Sequence, residues 1–361
     1  MAIQTLELID FRIYTHAAVE FDPGLTVIVG ENGQGKTSLL EAISWIAGRG
    51  SFRGVADDSL IRMGADAAIV RADLTGHDGR RQLIEVELPR VGRNRVQINR
   101  QGLRRKSDLI GSVPVTIFSP DDLELVKGGP SSRRRWLDDG VASLQPGHDA
   151  LCGELDKIIK QRNALLRSSG GRLDADGAFT LDVWDAKLAT TGEALRKARE
   201  RLLSDLAPRL SAAYDAVAGR PAEISAAYLP SWEGELDAAL EQARAVDLRR
   251  GLSTIGPHRD EITLHIGCTP ARTHASQGEQ RSLVLAMRLA VDALVRRQGT
   301  AEPLLLLDDV FSELDAGRAQ ALLEALPESQ RLLTTATWVP PAATPDRVLK
   351  VTAGAVTEVS R

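Results

Sequence analysis

The chain has 361 residues, of which 43% are apolar and 26% charged, and a formal net charge of −4 at pH 7. That length can bury more than one sizeable core and points to about two domains, while the mild acidity excludes a globally basic nucleic-acid coat, so any nucleic-acid surface must be local. No apolar run approaches the roughly 20 residues of a membrane span, the N-terminus lacks the tripartite pattern of a secretory signal, and Cys152 and Cys268 stand at no metal or redox spacing; the expectation is a cytoplasmic protein with two inert thiols and no membrane contact.

From residue 1 to about 117 the chain reads as strands broken by turns. Residues 6–14 alternate as a strand and include Arg12, for which an ordinary solvated position is the plain alternative to a functional one. Residues 25–29 form a short apolar strand and residues 38–45 an apolar-periodic helix. Between them run Gly30, Glu31, Asn32, Gly33, Gln34, Gly35, Lys36 and Thr37, followed by Ser38. This strand, loop and helix order is what a phosphate loop needs: the glycines let the backbone close into a nest of N–H donors, and the helix start faces the same phosphates. Lys36 supplies a mobile point charge, and the Thr37 hydroxyl comes within reach of a Mg²⁺ bridging the terminal phosphates of ATP. A chance match in a chain this long is on the order of one per cent, so a plain glycine-rich turn is the weaker reading.

Residues 68–74 and 82–88 look like successive meander strands, and a run of cations follows: Arg90, Arg93, Arg95, Arg100, Arg104, Arg105 and Lys106. From about 121 to 247 the pattern turns helical, opening with Arg133, Arg134 and Arg135 and continuing through apolar-periodic stretches at 151–166 and 181–206 separated by a Gly/Ser-rich loop at 168–171. This reads as an antiparallel helical arm inserted into the head. Each arginine singly is a solvated charge; as a set, Arg104, Arg105, Lys106, Arg133, Arg134 and Arg135 suggest DNA phosphate contacts without base readout, since no helix-turn-helix, zinc module or aromatic-rich strand is visible.

The final segment, from about 248, returns to strands. Ser276, Gln277, Gly278, Glu279 and Gln280 open a long apolar-periodic helix, with Ser276 and Glu279 spaced as a capping box. Residues 304–307 are four leucines, a buried strand that ends on Asp308 and Asp309. At the C-terminal edge of a sheet these carboxylates fit a Mg²⁺ ligand, Asp308, and a general base toward the attacking water, Asp309; a solvated helix cap is the alternative.

The Ser-x-Gly-Glu-Gln run resembles the signature motif of the ABC-type ATPases, and the resemblance implies that Ser276, Gly278, Glu279 and Gln280 touch the γ-phosphate held by the opposite subunit. One phosphate loop and one signature then imply a homodimer that closes on ATP around two composite sites. Ser312, Glu313, Leu314 and Asp315 continue as in the SMC-like branch, whereas residues 331–337 offer threonines where transporter ATPases carry a histidine. That absence, with Asp309 in place of the usual glutamate, implies slow turnover.

Nearly the whole chain is similar to the RecF family of bacterial recombination proteins, most specifically in the run Gly256, Pro257, His258, Arg259, Asp260, and also in residues 6–14, 118–130 and 133–138. Read without the family, the first of these is a tight turn with Arg259 and Asp260 paired locally. The resemblance implies an α/β fold: an ABC-type, SMC/Rad50-like P-loop ATPase head with mixed sheets, interrupted by the helical arm, divided as 1–120 (head), 121–247 (arm) and 248–361 (head). It also places Arg12 near the nucleotide. The implied activity is weak, DNA-dependent ATP hydrolysis used as a switch in DNA repair, recombination, replication and the SOS response. The implied partners are double-stranded and gapped DNA, RecR, and the RecO/RecA pathway, RecA being loaded during gap repair. The insertion is too short for the long coiled coil of true SMC proteins. A transporter-coupled ATPase would need the missing histidine and a docking cleft, and a defence-type nuclease an acidic metal domain that is not visible.

Overall fold

The computed structural model describes residues 1–76, 78–103, 109, 112–145, 147–298, 302–336 and 343–359. In chain order the elements are β1 (Ala2–Phe11), β2 (Tyr14–Glu20), β3 (Leu25–Val29), α1 (Lys36–Ile46), β4 (Ala67–Thr75), β5 (Arg81–Pro89), β6 (Arg95–Ile98), β7 (Gln101–Gly102) and β8 (Val115–Phe118). Then come α2 (Glu124–Lys127), α3 (Pro130–Leu144), α4 (His148–Ser168), α5 (Ala175–Ala218), β9 (Ile224–Leu229), α6 (Leu236–Arg250), β10 (Glu261–Ile266), β11 (Thr269–Pro270) and α7 (Ala271–His274). The chain closes with α8 (Gln277–Gln298), β12 (Leu304–Asp308), α9 (Ala316–Ala325), β13 (Arg331–Thr335), β14 (Arg347–Thr352) and β15 (Ala355–Glu358).

Two compact units result. The first comprises Met1–Leu123, Ala212–Pro221 and Gln277–Arg361, the second Glu124–Ser211 and Ala222–Ser276. The first unit holds two six-stranded sheets, ordered β2-β1-β4-β5-β6-β7 and β15-β14-β3-β13-β12-β8. All pairings in the former are antiparallel; in the latter β14, β3, β13, β12 and β8 run parallel and only β15 is antiparallel. A parallel sheet is covered on both faces, and the leucines of β12 divide accordingly. Leu304 and Leu306, with Ile28 and Leu332, join the cluster containing Leu39, Ile43 and Trp45 of α1. Leu305 and Leu307, with Val27 and Leu333, pack with Leu285 and Leu289 of α8 and Leu322 of α9. The continuous apolar run in the sequence is thus a period-2 strand with apolar partners on each side.

In the second unit Leu155 and Ile158 of α4, Leu188 and Leu195 of α5, and Leu236 and Leu240 of α6 form one cluster, beside a three-stranded sheet ordered β11-β10-β9. Arg162, wholly buried, pins these helices through Asp185 and Asp247, both at 2.7 Å. The division differs from the expected boundaries of 121, 247 and 248. Residues 248–276 belong with the arm because β10 pairs antiparallel with β9 from Glu261↔Leu229 to Ile266↔Ile224, and Ala212–Pro221, at the end of the helical stretch, belongs to the first unit. Among the described residues no helix is long and apolar enough to cross a membrane.

Candidate nucleotide site

The parallel sheet sets the site. β13 lies between β3 and β12, so the loop leaving β3 and the carboxylates ending β12 emerge at the same C-terminal sheet edge, flanking Thr334. The loop is Gly30–Gly35. Gly33 and Gly35 have φ of 81° and 113°, a region in which any Cβ is strained, and a Cβ at Gly35 would also lie 2.8 Å from the Tyr14 hydroxyl oxygen and 2.9 Å from Ile13. Glu31, Asn32 and Gly33 are exposed, whereas Lys36 is buried. The Lys36 ammonium donates to the carbonyls of Gly30 at 2.6 Å and Glu31 at 2.9 Å. Burial lowers its pKa, opposed by the charges of Asp309 and Asp308. The Gln34 side chain accepts from the Ala353 N–H, so the β14–β15 hairpin abuts the loop. Ser38, half-buried, sits in the first turn of α1.

Two further contacts brace this loop from the β1–β2 turn. The Tyr14 hydroxyl donates to the Gly35 carbonyl at 2.9 Å. Arg12, at φ 55°, donates through Nε and Nη2 to the fully buried Glu41 of α1, at 3.0 and 2.8 Å, and through Nη1 to the Ser59 carbonyl at 3.0 Å. Arg12 is therefore not a solvated strand residue: each of its guanidinium nitrogens has a protein acceptor, and what it holds in this structure is the helix behind the loop.

At the end of β12, Asp308 Oδ1 accepts from two hydroxyls, Thr37 and Thr334, each at 2.8 Å. Burial raises the Asp308 pKa, and both hydroxyl bonds pull it back. The charge of Arg53, an exposed residue on the loop after α1, acts in the same lowering direction. Asp309 adopts the left-handed conformation, φ 49° and ψ 28°, with its N–H donating to Thr334 Oγ1 at 2.9 Å. Its Oδ1 is buried without a hydrogen-bond partner among the described residues. A strained backbone and an orphaned carboxylate oxygen in one residue are features of sites that await a ligand or water. Thr37 and Asp308, two oxygen donors already in contact, fit a hard divalent cation.

The signature residues start α8. Ser276 is exposed immediately ahead of it, and Gln280 is buried in the helix. Glu279 is in close contact with Arg220, and Gly278 lies under the guanidinium of Arg318. Asp315 caps α9 by accepting from the Arg318 N–H at 2.9 Å. Farther along α8, Arg288 donates to both oxygens of Asp122, at 3.3 and 2.5 Å, linking that helix to the loop after β8. Asp122, Arg281 and Leu285 line a cleft that reaches Asp309. Arg53, Arg318 and the Asp122–Arg288 pair were marked by no local motif, only by their spatial neighbours, whereas Thr334 is among the threonines at 331–337 noted where transporter ATPases carry a histidine.

The proposed DNA residues fare unequally. Arg104, Arg105 and Lys106 lie outside the described residues, as does Thr337. Arg133 is corrected: it is buried, forks onto Glu261 at 2.8 and 2.9 Å, and donates to the carbonyls of Leu125 and Gly128, so its charge is paired inside the second unit and not presented at a surface for DNA. Arg134 is half-buried and donates to the Asp260 carbonyl at 2.7 Å, while Arg135 is exposed. The Gly256–Asp260 segment turns tightly, with the Arg259 N–H donating to the Gly256 carbonyl at 2.8 Å, but Arg259 and Asp260 are held by other residues of the second unit. Asp260 accepts from the Ser231 N–H at 2.7 Å and from Tyr228, Arg199 donates to the Pro257 carbonyl at 2.8 Å, and Arg259 donates to the Ser253 carbonyl. Burial lowers the His258 pKa to about 4, leaving the ring neutral near pH 7. Burial pushes the Cys152 thiol up to about 12, so it is not poised for thiolate chemistry.

Residues 2–352 match the family described as RecF/RecN/SMC N terminal domain. The chain is 42% identical over 352 residues, 93% of each chain, to a protein of Streptomyces avermitilis named DNA replication and repair protein RecF. It superposes with a TM-score of 0.92, at 27% identity and covering 99% and 98% of the two chains, on a structure described as the recombination mediator protein RecF-ATPrS in the RecFOR pathway. An Smc head bound to the C-winged helix domain of ScpA shares the fold, with a TM-score of 0.60 at 18% identity over 100% and 98% of the chains.

Proposed function

The chain belongs to the RecF family, with the ABC-type ATPase head fold and helical insertion of RecF and SMC heads, and from that premise we propose that it is an ATP-dependent DNA-binding recombination mediator. On this reading ATP closes two copies into a homodimer, the dimer holds duplex DNA near single-strand gaps and helps load RecA with RecR and RecO, and slow hydrolysis in the cytoplasm releases the DNA. The observation that carries the switch chemistry is the Thr37–Asp308–Thr334–Asp309 chain. It fastens the phosphate-loop helix to the end of β12 and leaves one buried carboxylate oxygen unpaired.

The roles follow from positions. The backbone of Gly30, Glu31, Asn32, Gly33, Gln34 and Gly35, with the N-terminal turn through Lys36, Thr37 and Ser38, binds the phosphates. Lys36 exchanges its carbonyl partners for phosphate oxygens. Thr37 and Asp308 would hold Mg²⁺, which when bound would supply neutralisation of phosphate charge. Asp309 accepts a proton from water at Oδ1, the atom with no competing donor. Ser276, Gly278, Glu279 and Gln280 complete the site of the other copy. Arg12 serves as a brace through Glu41.

DNA capture tests the reading. With the Asp309→Asn protein, fluorescence anisotropy of a gapped duplex is expected to show binding at least about tenfold tighter with ATP and Mg²⁺ than with ADP, and to weaken steeply with salt. Equal affinity in the two nucleotides would remove the ATP-dependent DNA role.

A further inference from the structure

Gly278 is not explained by backbone freedom. It lies in the first turn of α8, outside the positive-φ glycines. What a side chain there would displace is the end of Arg318: a Cβ on Gly278 would lie 2.8 Å from Arg318 Cζ and 2.9 Å from Nη2. The guanidinium therefore lies against the signature glycine. Its placement is electrostatically costly, because the N-terminus of a helix carries partial positive charge that disfavours a cation. The compensation within the chain is small. Among the described contacts its side chain donates only from Nη1 to Asp315 at 3.2 Å, and the Asp315 side chain is 62% exposed. A guanidinium offers five donors in a planar fork suited to phosphate oxygens, and among the described contacts only one of these is engaged.

We propose that Arg318 recognises the terminal phosphate of the nucleoside triphosphate held by a second copy of this chain, acting in trans beside Ser276 and Gly278. This rests on the composite-site reading above and adds a residue to it. The glycine keeps the helix start open to the guanidinium, and Asp315, which caps α9 and pairs with Arg318 from the same loop, holds the cation over the signature turn until the phosphate arrives. A group that engages only the terminal phosphate distinguishes the triphosphate from the diphosphate, which makes assembly of the dimer depend on unspent nucleotide.

The test uses full-length chain in the Asp309→Asn background, comparing the parent with Arg318→Ala, Arg318→Lys and Ser276→Arg. Light-scattering mass is followed against protein concentration with Mg²⁺ and either ATP or ADP, and fluorescent-nucleotide affinity is measured on dilute monomer. The expected result is that Arg318→Ala raises the concentration needed for the ATP dimer at least about tenfold, equivalent to roughly 1.4 kcal/mol, leaves monomer affinity for ATP unchanged, and is partly rescued by Arg318→Lys. Parent-like assembly by Arg318→Ala while Ser276→Arg stays monomeric would overturn the inference and leave the composite site standing. An equal loss of monomer nucleotide binding would also overturn it, by making Arg318 a structural residue. Should Arg318→Ala fail to fold, assembly by Arg318→Lys at the parent concentration with no change between ATP and ADP counts against the proposal. A parent that never dimerises on ATP removes the composite-site reading itself.

Discussion

Thr334 ties the paired aspartates together: its hydroxyl accepts from the Asp309 backbone N–H and donates to the Asp308 carboxylate. Replacing it by valine keeps the β-branched shape and strips out both bonds, at a cost of roughly 1–3 kcal/mol for the orphaned groups. The Asp308 bond lowers that carboxylate's pKa against burial, so Thr334→Val raises it further. Since the folded chain then binds the proton more tightly than the unfolded one, stability from this group is gained at low pH and falls as pH rises through the raised value, while cation binding at the ionised carboxylate runs the opposite way. The expected outcome is Mg²⁺-dependent nucleotide binding that fails at higher pH in Thr334→Val than in the parent, read by nucleotide fluorescence across a pH series. An unchanged profile would deny Thr334 its influence on Asp308. Lys36, Thr37 and Asp308 were legible because each sits in a contiguous motif. Thr334 was noted only as one of the threonines at 331–337; its bond to Asp308 was not legible, because the two meet through the parallel register of β12 and β13, which no local pattern encodes. Arg133 misled for a related reason: successive helical residues point about 100° apart, so three consecutive arginines cannot share one face, and one of these turns inward to Glu261.

At the scale of elements, the β1–β2 turn and the phosphate loop act as one piece, joined by Tyr14 to Gly35 and by Arg12 to Glu41. Gly35→Ala puts a methyl against the Tyr14 hydroxyl and Ile13 at a φ of 113°. A loss of roughly 1–3 kcal/mol of stability is expected, with nucleotide affinity falling together with it; a thermal melt that matches the parent would mean the turn yields freely. The strand before this loop, the helix after it and the meander of β4 and β5 were readable from period alone. β9 was not: Ser225, Ala226 and Ala227 are poor strand formers in a stretch of helical composition, and their pairing with β10 is what shifts residues 248–276 into the second unit. The Asp122–Arg288 pair links the loop after β8 to α8.

For the whole molecule, a net charge of −4 makes nonspecific coating of DNA a poor mode of action, and control by assembly a better one, since two copies double whatever basic surface each carries. The ATPase family and fold were legible because contiguous motifs far apart in the chain carry them, two of which meet at one sheet edge. DNA-contacting residues were not, because surface arginines look alike whether solvated, braced like Arg12, or buried like Arg133. The most direct test of the account is the light-scattering mass of the Asp309→Asn protein with ATP and Mg²⁺, against the same protein with ADP. The account predicts a doubled mass with ATP alone, abolished by Ser276→Arg without loss of ATP binding. An unchanged mass under saturating ATP would contradict it.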